Sequence, residues 1–296
     1  MTVLDEIAQV RALLAGLGRD APFTLETLAT TRAGYDKSAG ALEPVAGVEI
    51  DAVTIGGVPC RVARPLQGSD ESRAVLYFHG GGYCLGSAKS HGHLGAMIAK
   101  GAGCPVVLPD YRLAPEHPCP AGIEDGVAVW RALLAEGLDP ARLVMGGDSA
   151  GGGLTFALAL ALRDGGLALP GGLFAISPWV NLSNTGDSYT AKAARDPILK
   201  KGDLDLMAGL YAGGLSIRDG RVSPLFADLS GLPPVLIQVG EEELLVSDAT
   251  RLAERAGLAG TEISLHIWPD MIHVWHWFWP LLTEARTAIA HLTGFI

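Results

Sequence analysis

Ser149 stands in Gly147-Asp148-Ser149-Ala150-Gly151, between the apolar run RLVMG and an apolar pattern of helical period over 150–164. A serine hydroxyl becomes a nucleophile only with a base beside it, and a G-x-S-x-G string alone is weak evidence in a chain with 39 glycines. Context gives the string weight. Strand, tight turn and helix are the setting in which such a serine is held out for reaction, with the flanking glycines letting strand and helix approach. The turn also aims the helix N-terminus and the Ala150 N–H at the reacting centre, where developing negative charge meets a donor and a favourable dipole. The alternative is a glycine-rich helix start in which Ser149 serves only as an N-cap.

A second group of residues, His79-Gly80-Gly81-Gly82, follows the apolar run AVLYF. Three consecutive glycines leave backbone N–H groups unobstructed, which suits an oxyanion hole or a phosphate-binding turn. The continuation Tyr83-Cys84-Leu85-Gly86 supplies neither the Lys-Ser/Thr of a P-loop nor a helix-opening G-x-G-x-x-G. An HGGG-type loop upstream of a serine elbow is instead a lipase and esterase arrangement, and it calls for an acid and then a histidine further along. The chain provides Gly240-Glu241-Glu242-Glu243-Leu244-Leu245 after PVLIQV and Pro269-Asp270-Met271-Ile272-His273 after ISLHIW. Loops that follow parallel strands converge on one end of a sheet, so His273 is the candidate base. His266 lies within a strand run, His276 in the aromatic segment WHWFW and His291 in the last helix; these three read as packed or solvent-facing side chains.

The elements that must position these groups are short apolar runs at 74–78, 105–109, 142–146, 173–177, 234–239 and 263–268, alternating with helical patterns at 91–101, 121–136, 150–164, 248–257 and 281–292. Buried strands with helices between them predict an α/β fold with a mostly parallel sheet of about eight strands, flanked by helices on both faces. VEIDAVTIGGVPCRVARP reads as an antiparallel edge hairpin turning at Gly56 and Gly57. Residues 2–17 predict an amphipathic helix with Leu4, Ile7, Val10, Leu13, Leu14 and Leu17 as its apolar positions, Thr2 capping its start and Gly18 stopping it. A weaker helix is expected at 24–35, followed by the loop SAGALEPVAG. The interval 181–223 breaks the strand-helix rhythm and reads as an insertion carrying one apolar helix, DLDLMAGLYAGG.

Composition narrows the classes. Of 296 residues 49% are hydrophobic, so the glycine excess over the usual ~7% marks a folded chain rather than a disordered one. A net charge of −10 argues against a nucleic-acid surface. Cys60, Cys84, Cys104 and Cys119 have no metal-site spacing and read as idle buried thiols. Asp5 and Glu6 sit where a signal peptide would be basic, and no apolar stretch reaches membrane-span length, so a cytoplasmic protein without a membrane span is expected.

HGGG at 79–82, DYRLAPEHPCPAGIED at 110–125, GDSAGG at 147–152 and the acid and histidine loops together resemble the bacterial hormone-sensitive-lipase-like esterases, the GDSAG subgroup of the family IV carboxylesterases in the α/β-hydrolase superfamily. The match runs in register from about residue 73 to 280. The resemblance implies Ser149 as nucleophile, His273 as base, and Gly81, Gly82 and Ala150 as oxyanion donors. Where many members have aspartate in D-P-L-x-D, this chain reads Glu243-Leu244-Leu245-Val246-Ser247-Asp248. Aligning on Leu245 puts Glu243 at the acid position, with Glu242 and Asp248 as alternatives, and glutamate is an accepted third member of such triads. Glu241 and Glu242 read as a solvated acidic turn, and Asp270 as a loop-shaping residue. Arg112, Glu116 and Asp125 are expected in internal ion pairs that support the oxyanion loop, and Cys119, where the family often has an aromatic residue, as a packing difference.

The resemblance further implies a helical cap. The expected division is 1–45 as the N-terminal part of the cap, 46–180 as catalytic core, 181–223 as the inserted part of the cap, and 224–296 as core again. Leu204, Met207, Ala208 and Tyr211 share one face of the inserted helix. Tyr83, Trp179, Met207 and Tyr211 are the candidate pocket residues. The expected activity is hydrolysis of short-chain carboxylic esters, with no cofactor or metal and with a homodimer as the expected assembly. Amide, lactone or carbamate hydrolysis by the same machinery is the alternative. A binding-only receptor, as in the gibberellin receptors that resemble this family and lack the histidine, is disfavoured by His273.

Overall fold

The computed structural model describes residues 3–16, 22–39 and 44–296. Thr2, Leu17 and Gly18, named above as cap, apolar position and stop of the first helix, lie outside the described residues, as does the middle of the loop SAGALEPVAG. In chain order the helices are α1 (Val3–Gly16), α2 (Leu28–Ala39), α3 (Ala88–Ala102), α4 (Ala121–Ala135), α5 (Ala150–Asp164), α6 (Ser188–Ala191), α7 (Lys201–Ala212), α8 (Val246–Leu258) and α9 (Thr283–Phe295). The strands are β1 (Val48–Ile55), β2 (Val58–Pro65), β3 (Ala74–Phe78), β4 (Val106–Pro109), β5 (Leu143–Asp148), β6 (Gly172–Ile176), β7 (Val235–Gly240) and β8 (Ile263–Trp268).

The strands form one sheet in the order β1-β2-β4-β3-β5-β6-β7-β8. From β4 to β8 every pairing is parallel, and the β1–β2 hairpin joins antiparallel through β2. β3 to β7 are buried along their whole length, which is why they read as unbroken apolar runs rather than alternating ones. Edge strand β1 is largely exposed, and its turn uses Gly56 and Gly57 at φ 60° and 82°, the left-handed pair a two-residue hairpin needs.

Helices cover both faces. Val129 and Trp130 of α4, Phe156 and Leu158 of α5 and Leu252 of α8 pack with Met145 and Ile237 on one side. Leu94 and Ile98 of α3 and Ile289 and Leu292 of α9 pack with Val75, Tyr77 and Phe174 on the other. Helix α1 is narrower than its apolar pattern suggested. Ile7, Val10 and Leu14 pack on Met271, Ile272, Trp275 and Leu282, whereas Leu4 and Leu13 are 62% and 51% exposed. At 100° per residue Leu13 turns away from that seam, and Leu4 precedes it by a turn.

Sheet order determines where a ligand can sit. The chain leaves β3 towards β4 on one side and then returns to build β5 on the other, and the switch point in such a sheet opens a crevice at the C-terminal strand ends. HGGG follows β3 and Ser149 follows β5, so sequence distance vanishes there. The four cysteines are free and buried, and burial pushes the thiols of Cys60 and Cys84 up to about 12.

Gly146 of β5 lies against the ring of Phe174, where an added Cβ would stand 2.3–2.4 Å from three ring atoms. Gly146→Ala should therefore destabilise the protein by about 1–3 kcal/mol through overpacking. A denaturation midpoint equal to that of the parent would contradict this packing.

Candidate active site

Ser149 adopts φ 54° and ψ −120° between β5 and α5. A non-glycine residue in that region carries strain of about 1–3 kcal/mol and persists only when its surroundings hold it. Here Ser149 N–H donates to Ile176 O at 2.9 Å, and Ser149 O accepts from Trp179 at 2.9 Å and from Gly153 at 3.1 Å. The close approach needs Gly151, where a Cβ would fall 2.0 Å from Phe78 O.

His273, in the loop after β8, places Nε2 3.0 Å from Ser149 Oγ and Nδ1 2.5 Å from Glu243 Oε2. The other oxygen of Glu243 accepts from Gly240 N–H at 2.7 Å and from Ser177 Oγ at 2.8 Å. Ser177 Oγ in turn accepts the N–H of Val274 at 3.1 Å, so one hydroxyl links the acid loop to the histidine loop. Ser177 and Val274 both sit at positive φ, 48° and 47°. Strain thus gathers on both sides of the histidine. Burial works against an imidazolium at His273, but the charge and hydrogen bond of Glu243, joined by Asp196 and Asp148, outweigh it and raise its pKa above the ordinary value.

Among the candidate acids, Glu243 is the one that meets His273. Glu242 departs from the expected solvated turn. It is 3% exposed and ion-paired with Arg195, with Lys192 at 3.8 Å and with Arg11 at 3.9 Å. The reason is that α1 and the inserted interval bring cations over it, which the local run of three glutamates could not reveal; Glu241 stays partly exposed, paired with Lys192 at 3.4 Å. Asp248 accepts Val180 N–H, Asn181 N–H and Tyr189 O–H, and burial pushes its pKa up to about 7. Asp270 occupies a left-handed turn position at φ 62°. Of the other histidines, His276 is buried with Nε2 2.7 Å from Gln238 Oε1, while His266 of β8 and His291 of α9 pack against each other.

The glycine loop faces the same serine from the end of β3. Tyr111 O–H donates to His79 O at 2.7 Å, and Gly80 N–H lies 3.2 Å from both Asp148 Oδ1 and His91 Nε2. Tyr77 O–H also donates to Asp148 at 2.7 Å. Asp148, the variable position of the serine motif, is therefore a buried brace for the glycine loop. Gly81 and Gly82 take φ 113° and 61°. The Ala150 N–H is the first of α5 and has no acceptor within the helix. Arg112 pairs with Asp125 at 2.9 Å and with Glu124 at 3.0 Å, as part of the expected internal pairing. Glu116 instead takes Arg32 of α2 at 2.8 Å, and Arg32 also donates to Cys84 O and Ala114 O.

Tyr83, Trp179, Met207 and Tyr211 come together around this loop, and all are buried. Tyr83 stacks on Tyr211 with ring centroids 3.7 Å apart and lies 5.8 Å from Trp179. Met207 packs on the loop itself, with Sδ 2.2 Å from where a Cβ on Gly82 would be. Ser149 and His273 are only 7% and 5% exposed. Among the described residues no group of His, Cys, Asp or Glu side chains is arranged to hold a metal ion, and no helix is long and apolar enough to cross a membrane. Ser177 and His91 were not singled out from the sequence, and Asp148, quoted within the serine motif, was given no role there, because a polar residue gives no local signal of the distant groups it touches.

A hydroxyl on an imidazole, the imidazole on a buried carboxylate, and bare backbone N–H groups opposite are the parts needed for acyl transfer. Comparison with known proteins points the same way. A family model for the alpha/beta hydrolase fold matches residues 75–277. An acetyl-hydrolase of Streptomyces hygroscopicus is 43% identical over 265 residues, covering 90% of this chain and 88% of the relative. Carboxylesterase NlhH of Mycobacterium tuberculosis is 39% identical over 226 residues, 73% of this chain and 70% of that protein. The solved structure of an esterase from the bacterial hormone-sensitive lipase family superposes with a TM-score of 0.94 at 40% identity, covering 98% of this chain and 97% of the other.

Ser177→Ala removes the hydroxyl that joins Glu243 to Val274. We expect about a tenfold loss of kcat on a chromogenic ester, equivalent to about 1.4 kcal/mol, with the fold retained by circular dichroism. Unchanged kcat would show that the acid loop holds itself.

Proposed function

This chain belongs to the α/β-hydrolase-fold family matched over residues 75–277, and from that premise we propose that it is a serine carboxylesterase of the bacterial hormone-sensitive-lipase type acting on short-chain esters. The observation that carries the reading is the continuous chain from Ser149 Oγ through His273 to Glu243, at 3.0 and 2.5 Å, beside the glycine loop.

In this mechanism the Ser149 Oγ attacks the ester carbonyl carbon while His273 Nε2 takes its proton. Glu243 fixes the imidazole with Nδ1–H towards the carboxylate and stabilises the imidazolium that forms. The oxyanion is received by the N–H groups of Gly81, Gly82 and Ala150, aided by the positive end of α5. The imidazolium then returns its proton to the departing alcohol oxygen, leaving an acyl-serine. Water attacks that acyl group, again giving its proton to His273, and collapse returns the proton to Ser149 and frees the acid. No step in this sequence calls on a cofactor.

Substrate size follows from what surrounds the glycine loop. Met207 lies against Gly82, and Tyr83 is stacked on Tyr211 and lies near Trp179, so bulky side chains crowd the glycine loop. We read α1, α2 and the inserted segment with α7 as the cap. That reading supports acetyl to butyryl esters over long-chain ones.

Ser149→Ala should keep the fold and abolish p-nitrophenyl ester hydrolysis, while retained turnover in a clean preparation would sink the assignment. A series of p-nitrophenyl esters from acetate to laurate tests the size reading: kcat/KM should peak at four carbons or fewer, and a maximum at ten or more would refute it.

A further inference from the structure

The inserted interval holds a carboxylate that the hydrolytic mechanism above leaves unused. Asp196, between α6 and α7, is buried. Its Oδ1 accepts the N–H groups of Ile198 at 2.8 Å and Leu199 at 2.9 Å, and its Oδ2 accepts the N–H of Leu244 at 2.9 Å. The first two bonds close a local turn that a neutral asparagine would also make. The third reaches across to the residue that follows Glu243.

Among the described residues no lysine or arginine side chain forms an ion pair with Asp196. Arg195 and Lys192, its neighbours in sequence, are directed at Glu242. Asp196 and His273 act on each other through their charges: burial raises the pKa of Asp196, opposed by the charge of His273 and the three backbone N–H groups. Glu243, Asp196 and Asp148 are the carboxylates that act on His273, and Glu243 alone is hydrogen-bonded to it among these three. A buried carboxylate is unfavourable unless donors or an opposite charge offset the loss of water, and at Asp196 three backbone N–H groups and the charge of His273 do so.

We propose that Asp196 is a positioning residue of the esterase site: through Leu244 it fixes the backbone that presents Glu243, and it supplies a second negative charge for the imidazolium formed at His273 during turnover. The inserted interval thus completes the acid side of the site, besides contributing a cover. This inference rests on the assignment of His273 as base.

The test is the pH dependence of kcat/KM for p-nitrophenyl butyrate in Asp196→Asn. A base must be neutral to accept a proton, so activity falls as the pH drops through the pKa of His273. A nearby negative charge raises that pKa, and removing it should move the acid limb about one pH unit lower, with kcat lowered about tenfold. A merely structural role would lower activity or Tm without moving the limb, and an unmoved limb overturns the inference. Should Asp196→Asn fail to fold, Asp196→Glu carries the test. It keeps the charge but displaces Leu244, so kcat should fall at least threefold with the acid limb in place; unchanged kcat or a shifted limb overturns the proposal. His273→Ala is measured alongside. Activity in that variant would refute the base assignment, whereas an inactive His273→Ala with an unmoved limb in Asp196→Asn would refute only the role of Asp196.

Discussion

A carboxylate shut away from water must be surrounded by donors, and those collected by Glu243 come from the ends of three adjacent strands. Gly240 N–H closes β7, Ser177 O–H follows β6, and His273 Nδ1 follows β8. The parallel sheet makes this possible, because parallel strands deliver their C-terminal loops to one edge. The reverse dependence also holds. Without the carboxylate, the positive-φ turn at Ser177 would lose one of the bonds that hold it, and the imidazole would have no preferred tautomer facing Ser149. Glu243 is therefore as much a part of the fold at this end of the sheet as of the proposed chemistry.

The inner strands β3 to β7 were legible because they are buried on both faces and appear as compact apolar runs, β3 coinciding with 74–78, and the half-exposed β8 and helix α5 also coincide with the patterns at 263–268 and 150–164. Boundaries drifted where a polar turn begins a helix. Helix α3 starts at Ala88 under a reciprocal Ser87–Ser90 cap, three residues before the apolar period becomes visible. The motif residues were legible because their neighbours in sequence are also their neighbours in space. Ser177, Asp148 and Asp196 were not, because each acts on a partner from a distant part of the chain: Ser177 on Glu243, Asp148 on Gly80, Asp196 on Leu244. Glu242 shows the same limit from the other side, since three consecutive glutamates look alike until Arg11 and Arg195 arrive to bury one of them.

The interval 181–223 behaves as two pieces. Its first half is bonded to the acid loop and to α8, through Ser188 with Leu244 and Ser247, through Tyr189 with Asp248, and through Asp196. Its second half, α7, rests on the glycine loop through Met207 and Tyr211. One interval thus touches both the loop that carries Glu243 and the glycine loop, the two sides of the proposed site.

On the proposed function, the contact between Met207 and Gly82 would give size selection and rate a common cause. An acyl group that makes room by pushing α7 outward removes the surface against which the Gly82 backbone is held, and the donors lining the oxyanion site lose their fixed aim. A substrate too large for the proposed site would therefore lose in turnover as well as in binding.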